Sequence, residues 1–164
     1  MKDKNLYLLL DTSFLINLVS ESALFHDRAF EFFNSFLTRH CDMAVSTIAI
    51  SEYAIKDDVT HLPLAMLQII PFNYGHAVTS GAYGNQVASC RKQETDTSRA
   101  IVLNDSKMFA QAEVEKIDYV VSADSKAQKT YQWLKDAGLA HFEYLDITKT
   151  AVNDFFGELP FPIE

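Results

Sequence analysis

Four acids in this chain stand where a short apolar run meets a helical pattern. Asp11 closes "LYLLL", Glu52 lies in "STIAISEYAI", Asp105 in "NDSKMFAQA" and Asp124 in "VVSADSK". Taken singly, each has an ordinary reading. Asp11 could cap a helix starting near Phe14, because Asp is a favoured N-cap. Asn104, Asp105 or Ser106 could cap the helix after them, and Ser125 with Gln128 could form a capping box beside Asp124. Glu52 is harder to explain locally. At helical spacing it shares a stripe with Ile48, Ile55 and Val59, where a solvated glutamate is out of place.

Gathered at one place, the four could not all stay ionised unaided. Two carboxylates a few ångströms apart repel by roughly 4 kcal/mol at an effective dielectric of about 20. Such a cluster persists only when protonated or neutralised by cations. Oxygen donors with no companion set of His or Cys point to a hard ion, Mg²⁺ or Mn²⁺. That ion suits phosphoryl-transfer chemistry, since it polarises a phosphate and makes hydroxide from bound water.

The elements that must position these acids follow from hydrophobic patterning. Short apolar runs bounded by polar residues at 5–11, 42–47, 67–72, 118–124 and 142–147 predict five strands. Helical patterns separate them: "SALFHDRAFEFFNSFLTRH", "IAISEYAIKDDV", "GHAVTSGAYGNQVASCRKQ", "NDSKMFAQAEVEK" and "KAQKTYQWLKDA". Strands that are apolar throughout and alternate with helices imply a parallel sheet covered on both faces. Ligands then bind beyond the carboxyl ends of the strands, at the switch point. Asp11 ends the first strand, Ser122 and Asp124 end the fourth, and the helix of Glu52 begins where the second stops. Segments distant in sequence are thereby expected to bring acids to one edge of the sheet.

The pattern "LLLDTSFLINL", then "STIAISEYAI", then "NDSKMFAQAEVEKIDYVVSAD", resembles the PIN-domain nucleases, most closely the VapC-type toxin ribonucleases of toxin–antitoxin pairs. "IIPFNYGHAVTSGAY" and the tail "YLDITKTAVNDFFGELPF" extend the resemblance over almost the whole chain. It implies a PIN-like three-layer α/β/α domain over residues 1–164, with a central, mainly parallel sheet of four or five strands. By resemblance, Asp11, Glu52, Asp105 and Asp124 are the catalytic acids that bind Mg²⁺ or Mn²⁺, while Ser13 and Ser122 orient carboxylates and water around them. It further implies metal-dependent hydrolysis of RNA leaving a 5′-phosphate and a 3′-hydroxyl, a homodimer, and an antitoxin partner received through the early helices. The family commonly has Thr where this chain has Ser122, and Asp124 matches the least uniform of the four acidic positions.

Two other classes compete. An Asp-dependent phosphatase of the HAD kind also ends its first strand in an acid, but it needs a second Asp where this chain has Ser13. A non-catalytic PIN module would gain stability by losing one of four mutually repelling acids, yet all four are present.

Bulk properties agree with an enzyme of ordinary size. At 164 residues the chain has the length of one domain able to close its own core. A formal net charge of −8 counts against sequence-independent duplex binding, although acids gathered for cations lower the net charge by themselves. Arg91, Lys92, Arg99, Lys107, Lys126 and Lys129 are candidate phosphate contacts, each more simply read as a surface charge. Phe25, Phe32, Phe33, Phe36 and Trp133 are expected to pack in the core. Cys41 and Cys90 belong to no metal-binding spacing and are read as reduced thiols of a cytoplasmic protein. Asp11 cuts the first apolar run too early for a signal segment or membrane span, so neither export nor insertion is expected.

Overall fold

The computed structural model describes residues 5–91 and 99–157, except the side chains of residues 99–103. The apolar run after Leu6 forms β1 (Tyr7–Leu10), in which Leu8, Leu9 and Leu10 are fully buried. Complete burial follows from its place in the middle of the sheet. The strands β2 (Asp42–Ser46), β3 (Gln68–Ile70), β4 (Tyr119–Ser122) and β5 (Glu143–Asp146) complete a five-stranded sheet in the order β3-β2-β1-β4-β5. Every pairing is parallel, as the unbroken apolar runs predicted.

Alternate strand residues serve two cores. Leu8, Leu10, Val45, Val121 and Leu145 face one side, where α1 (Thr12–Val19), α2 (His26–Thr38), α3 (Thr47–Ala54) and α7 (Val152–Phe156) contribute Phe14, Phe32, Phe36, Tyr53 and Val152. Leu9, Ala44, Ile70 and Val120 face the other, against Tyr83 and Val87 of α4 (Tyr74–Arg91), Phe109 of α5 (Arg99–Val114) and Leu134 of α6 (Ala127–Asp136). The result is a three-layer α/β/α arrangement. Phe32, Phe33 and Phe36 are core residues, as their spacing on α2 predicted.

The chain runs outward from β1 through β2 to β3, then returns to β4 on the opposite side of β1. That reversal puts the switch point at the carboxyl ends of β1 and β4. The ladder continues one residue past β1, where the Asp11 N–H donates to the Val121 carbonyl at 3.0 Å. At the far end of α6, Gly138 adopts φ +70°, a left-handed conformation that glycine takes without penalty, and turns the chain back towards β5.

Three local expectations are corrected. The polar triplet Asn104–Asp105–Ser106 does not start a helix, because α5 begins at Arg99 and carries all three inside it. The stripe through Ile48, Glu52, Ile55 and Val59 breaks, because α3 ends at Ala54 and leaves Ile55 84% exposed; the buried face of α3 runs through Ala49 and Tyr53 instead. No capping box forms at Ser125, since α6 starts at Ala127 behind Lys126 with no side-chain cap. Lys92, the side chain of Arg99 and the tail beyond Gly157 lie outside the described residues.

Candidate active site

Asp11 caps α1 and also anchors a polar cluster. Its Oδ1 accepts the Thr12 N–H at 2.6 Å, while Oδ2 accepts the hydroxyls of Ser13 at 2.9 Å and Ser122 at 2.7 Å. The two serine oxygens in turn accept the N–H groups of Ala123 and Asp124, each at 3.0 Å. The loop after β4 is therefore docked on the Asp11 carboxylate through two hydroxyl relays. Burial pushes the Asp11 carboxyl above its ordinary range against the lowering effect of those hydrogen bonds, and Glu52 adds to the rise.

Glu52 reaches the same place from α3. Its Oε2 accepts the Thr12 hydroxyl at 2.6 Å and its Oε1 accepts the Asn104 amide at 2.8 Å, so α1 and α5 both hold it. Asp105, next to Asn104 on α5, completes a narrow cleft of ≈ 10 Å³, lined also by Asp11, Thr12, Ile48, Ala49, Glu52 and Met108. Burial first, then the charges of Asp11, Asp124 and Glu52, push the Asp105 carboxyl from 3.8 up to about 8. Desolvation together with like charge from three sides is the pattern of an acidic functional site.

Asp124 stands at the edge of this group rather than in the cleft. It is close enough to raise Asp105, but its Oδ1 accepts the Lys126 N–H at 2.8 Å. Its carbonyl accepts the Tyr144 hydroxyl at 2.6 Å. Burial, then the charges of Asp11, Asp124 and Asp146, keep the Tyr144 phenol protonated far above its usual range, so it remains a donor.

The donor set suits a hard divalent cation. Asp11 keeps one open lone pair on Oδ1 and Glu52 one on each oxygen, since a carboxylate oxygen accepts twice. Among the described residues no three His, Cys, Asp or Glu side chains stand close enough together to hold an ion as they are placed, so an ion here would rest on one or two carboxylates and water. Mg²⁺ binds characteristically through one or two carboxylates with water filling the remainder. An added dication would also offset the like charges that, after burial, keep Asp105 protonated.

The sequence matches no protein-family model and no curated protein. Solved structures do share its fold. VapBC2 from Rickettsia felis, bound to a DNA fragment from its promoter, superposes with a TM-score of 0.55 at 14% identity, covering 85% of this chain and 97% of that one. DNA-bound VapBC from Salmonella typhimurium gives 0.54 at 17% identity, covering 87% and 98%. The chain has the PIN fold. A third PIN structure, the Sarcin-Ricin loop cleaving toxin VapC20 of Mycobacterium tuberculosis, gives 0.50 at 15% identity, covering 74% and 93%.

Within this PIN fold, Asp11, Glu52 and Asp105 meet in one cleft, Ser13 and Ser122 both bond Asp11, and Asp124 lies beside them. Three participants carried no clear signal in the sequence. Thr12 sits between the two residues that did. Asn104 has the composition of a helix cap and instead holds Glu52. Tyr144 reads only as an aromatic strand residue.

Proposed function

We propose that this chain is a divalent-metal-dependent endoribonuclease of the VapC type, acting as the toxin of a toxin–antitoxin pair. The single observation that carries the reading is the cleft in which Asp11, Glu52 and Asp105 converge, with Asp105 held protonated to about pH 8 by burial and then by its acidic neighbours. A chain with no use for a cation gains nothing from that crowding. The structural neighbours support the rest: VapC20 is a toxin that cleaves the Sarcin-Ricin loop, and the VapBC structures are complexes with an antitoxin.

Asp11, Glu52 and Asp105 would hold Mg²⁺ or Mn²⁺, with Asp124 at the rim. When bound, the ion lowers the pKa of its water and neutralises charge developing on the scissile phosphate. The chain's part is orientation. Thr12 and Asn104 fix both oxygens of Glu52, and Ser13 and Ser122 direct their protons at Oδ2 of Asp11, leaving a free lone pair on Oδ1. Such partners of ligating carboxylates typically change metal affinity or activity by about 10–100-fold. Antitoxin binding and a homodimer belong to the same reading, by analogy with the VapBC assemblies.

The test is cleavage of a single-stranded RNA and of a ribosomal-RNA hairpin by purified chain in Mn²⁺, Mg²⁺ or EDTA, beside Asp105→Asn. Cleavage that needs the metal, leaves 5′-phosphate ends and disappears in the variant is expected. Equal cleavage in EDTA, or by the variant, would refute the assignment.

A further inference from the structure

The helices that carry Glu52 and Asp105 lie on opposite faces of the sheet, yet their side chains must meet within a few ångströms. Apolar packing alone fixes such a meeting poorly, because hydrophobic contact is non-directional and tolerates small slides. A buried polar link joins the two helices at the ends of β2 and β3.

Ser46, the last residue of β2, is fully buried and is the N-cap of α3, its hydroxyl oxygen accepting the Ile48 N–H at 3.0 Å. The same hydroxyl donates to Oε1 of Gln111, a fully buried residue of α5. The other end of that amide, Nε2, donates to the Ile70 carbonyl at the end of β3 at 3.2 Å. One hydroxyl therefore caps the Glu52 helix and receives the Asp105 helix. Gln111 lies six positions beyond Asp105 on α5, about 9 Å along its axis. A buried polar link in which both ends of the amide have a partner specifies one packing among near alternatives.

We propose that Gln111 is a positioning residue of the carboxylate cleft, setting the height of α5 against β2 and β3 so that Asp105 meets Glu52 and Asp11. This rests on the cleft being the metal-binding active site. Gln111 touches neither RNA nor the reacting atoms and acts through α5 alone. A merely structural role, in which the amide is one more satisfied core group, makes cleft geometry independent of Gln111 in any variant that still folds.

The experiment compares Gln111→Met with Phe109→Leu, which removes apolar contacts of the same helix and leaves the link intact. Spin labels are placed at Ser51→Cys on α3 and Val114→Cys on α5, in a chain whose Cys41 and Cys90 are serine. Pulsed-dipolar distances are read without metal, under conditions where circular dichroism shows each variant folded. Gln111→Met should widen or displace the α3–α5 distance distribution, whereas Phe109→Leu, although less stable, should keep the native one. Should Gln111→Met not fold, Ser46→Ala breaks the link from its other end and should widen or displace the α3–α5 distribution in its place. Unchanged distances in both link variants, or equal widening in Phe109→Leu, overturn the proposal. The same samples titrated with Mn²⁺ should show an affinity weakened about tenfold in Gln111→Met and unchanged in Phe109→Leu. If the native chain binds no Mn²⁺, the nuclease reading fails, while the distances still decide whether Gln111 sets the helix height.

Discussion

Replacing Asp105 by Asn should stabilise the metal-free protein, and by an amount that depends on pH. In the folded chain Asp105 keeps its proton to about pH 8, whereas an unperturbed Asp releases it near 3.8. Below about pH 4 both folded and unfolded chains carry the proton, and the residue costs folding nothing. Between pH 4 and 8 only the unfolded chain ionises, so the folded state loses stability steadily as pH rises; above 8 the loss is constant. At about 1.4 kcal/mol per pH unit the ceiling is about 6 kcal/mol. Solvent screening at a half-buried side chain reduces this to the order of 2 kcal/mol. For a chain of this length each kcal/mol moves the midpoint by about 2–4 °C. Asp105→Asn should therefore melt about 4–8 °C higher at pH 8.5 in EDTA, and within about 2 °C of the native chain at pH 5. Mn²⁺ at a hundred times its dissociation constant adds about 2.7 kcal/mol to the native protein, and the variant should not share that gain. Differential scanning fluorimetry at the two pH values, with and without Mn²⁺, measures all four quantities. A variant less stable at pH 8.5, or one equally stabilised at both pH values, would show that Asp105 is not crowded by its neighbours.

The residues around the acids give three further expectations. Thr12→Val keeps the side-chain shape but removes the donor to Oε2 of Glu52; calorimetric Mn²⁺ affinity should fall about tenfold, and unchanged affinity would remove Thr12 from the site. Ser122→Ala deletes a donor to Asp11 and the acceptor of the Asp124 N–H, so urea unfolding should show a loss of about 1–3 kcal/mol. Tyr144→Phe removes only the hydroxyl that holds the Asp124 carbonyl. Amide exchange should then quicken in the loop at 123–126 and stay unchanged in β1, and uniform exchange would mean that the phenol does not hold the loop.

β1, β2 and β4 were legible because a strand covered on both faces reads as an almost unbroken apolar run; β3 and β5, the partly exposed edge strands, showed only as shorter apolar stretches between polar residues. The position of Asp11 was legible for the same reason: an acid that ends such a run lies at the strand's carboxyl end. The start of α5 was not. Asn104, Asp105 and Ser106 form a polar triplet, and polar triplets usually mark a helix cap. Here they lie within a helix whose polar face is turned towards other protein groups, with Asn104 against Glu52 and Asp105 in the cleft. The stripe drawn through Ile55 failed for a related reason, since α3 stops before Ile55 can return to the core. Gln111 carried no signal at all, because a glutamine within a helix ordinarily faces water and only tertiary structure shows it buried against Ser46.

The central strand also governs when the cleft can exist. β1 is made before β2 and β4, but one of its two neighbours is β4, and the Ser122 hydroxyl that secures Asp11 lies 111 residues further along. Glu52 and Asp105 emerge between them, each on a helix whose place depends on the finished sheet. A nascent or truncated chain ending before β4 has three of the acids but no switch point at which to assemble them. Closing so distant a pairing is also slow relative to local helix formation. During synthesis the cleft therefore assembles all at once, and only after β4 has been made.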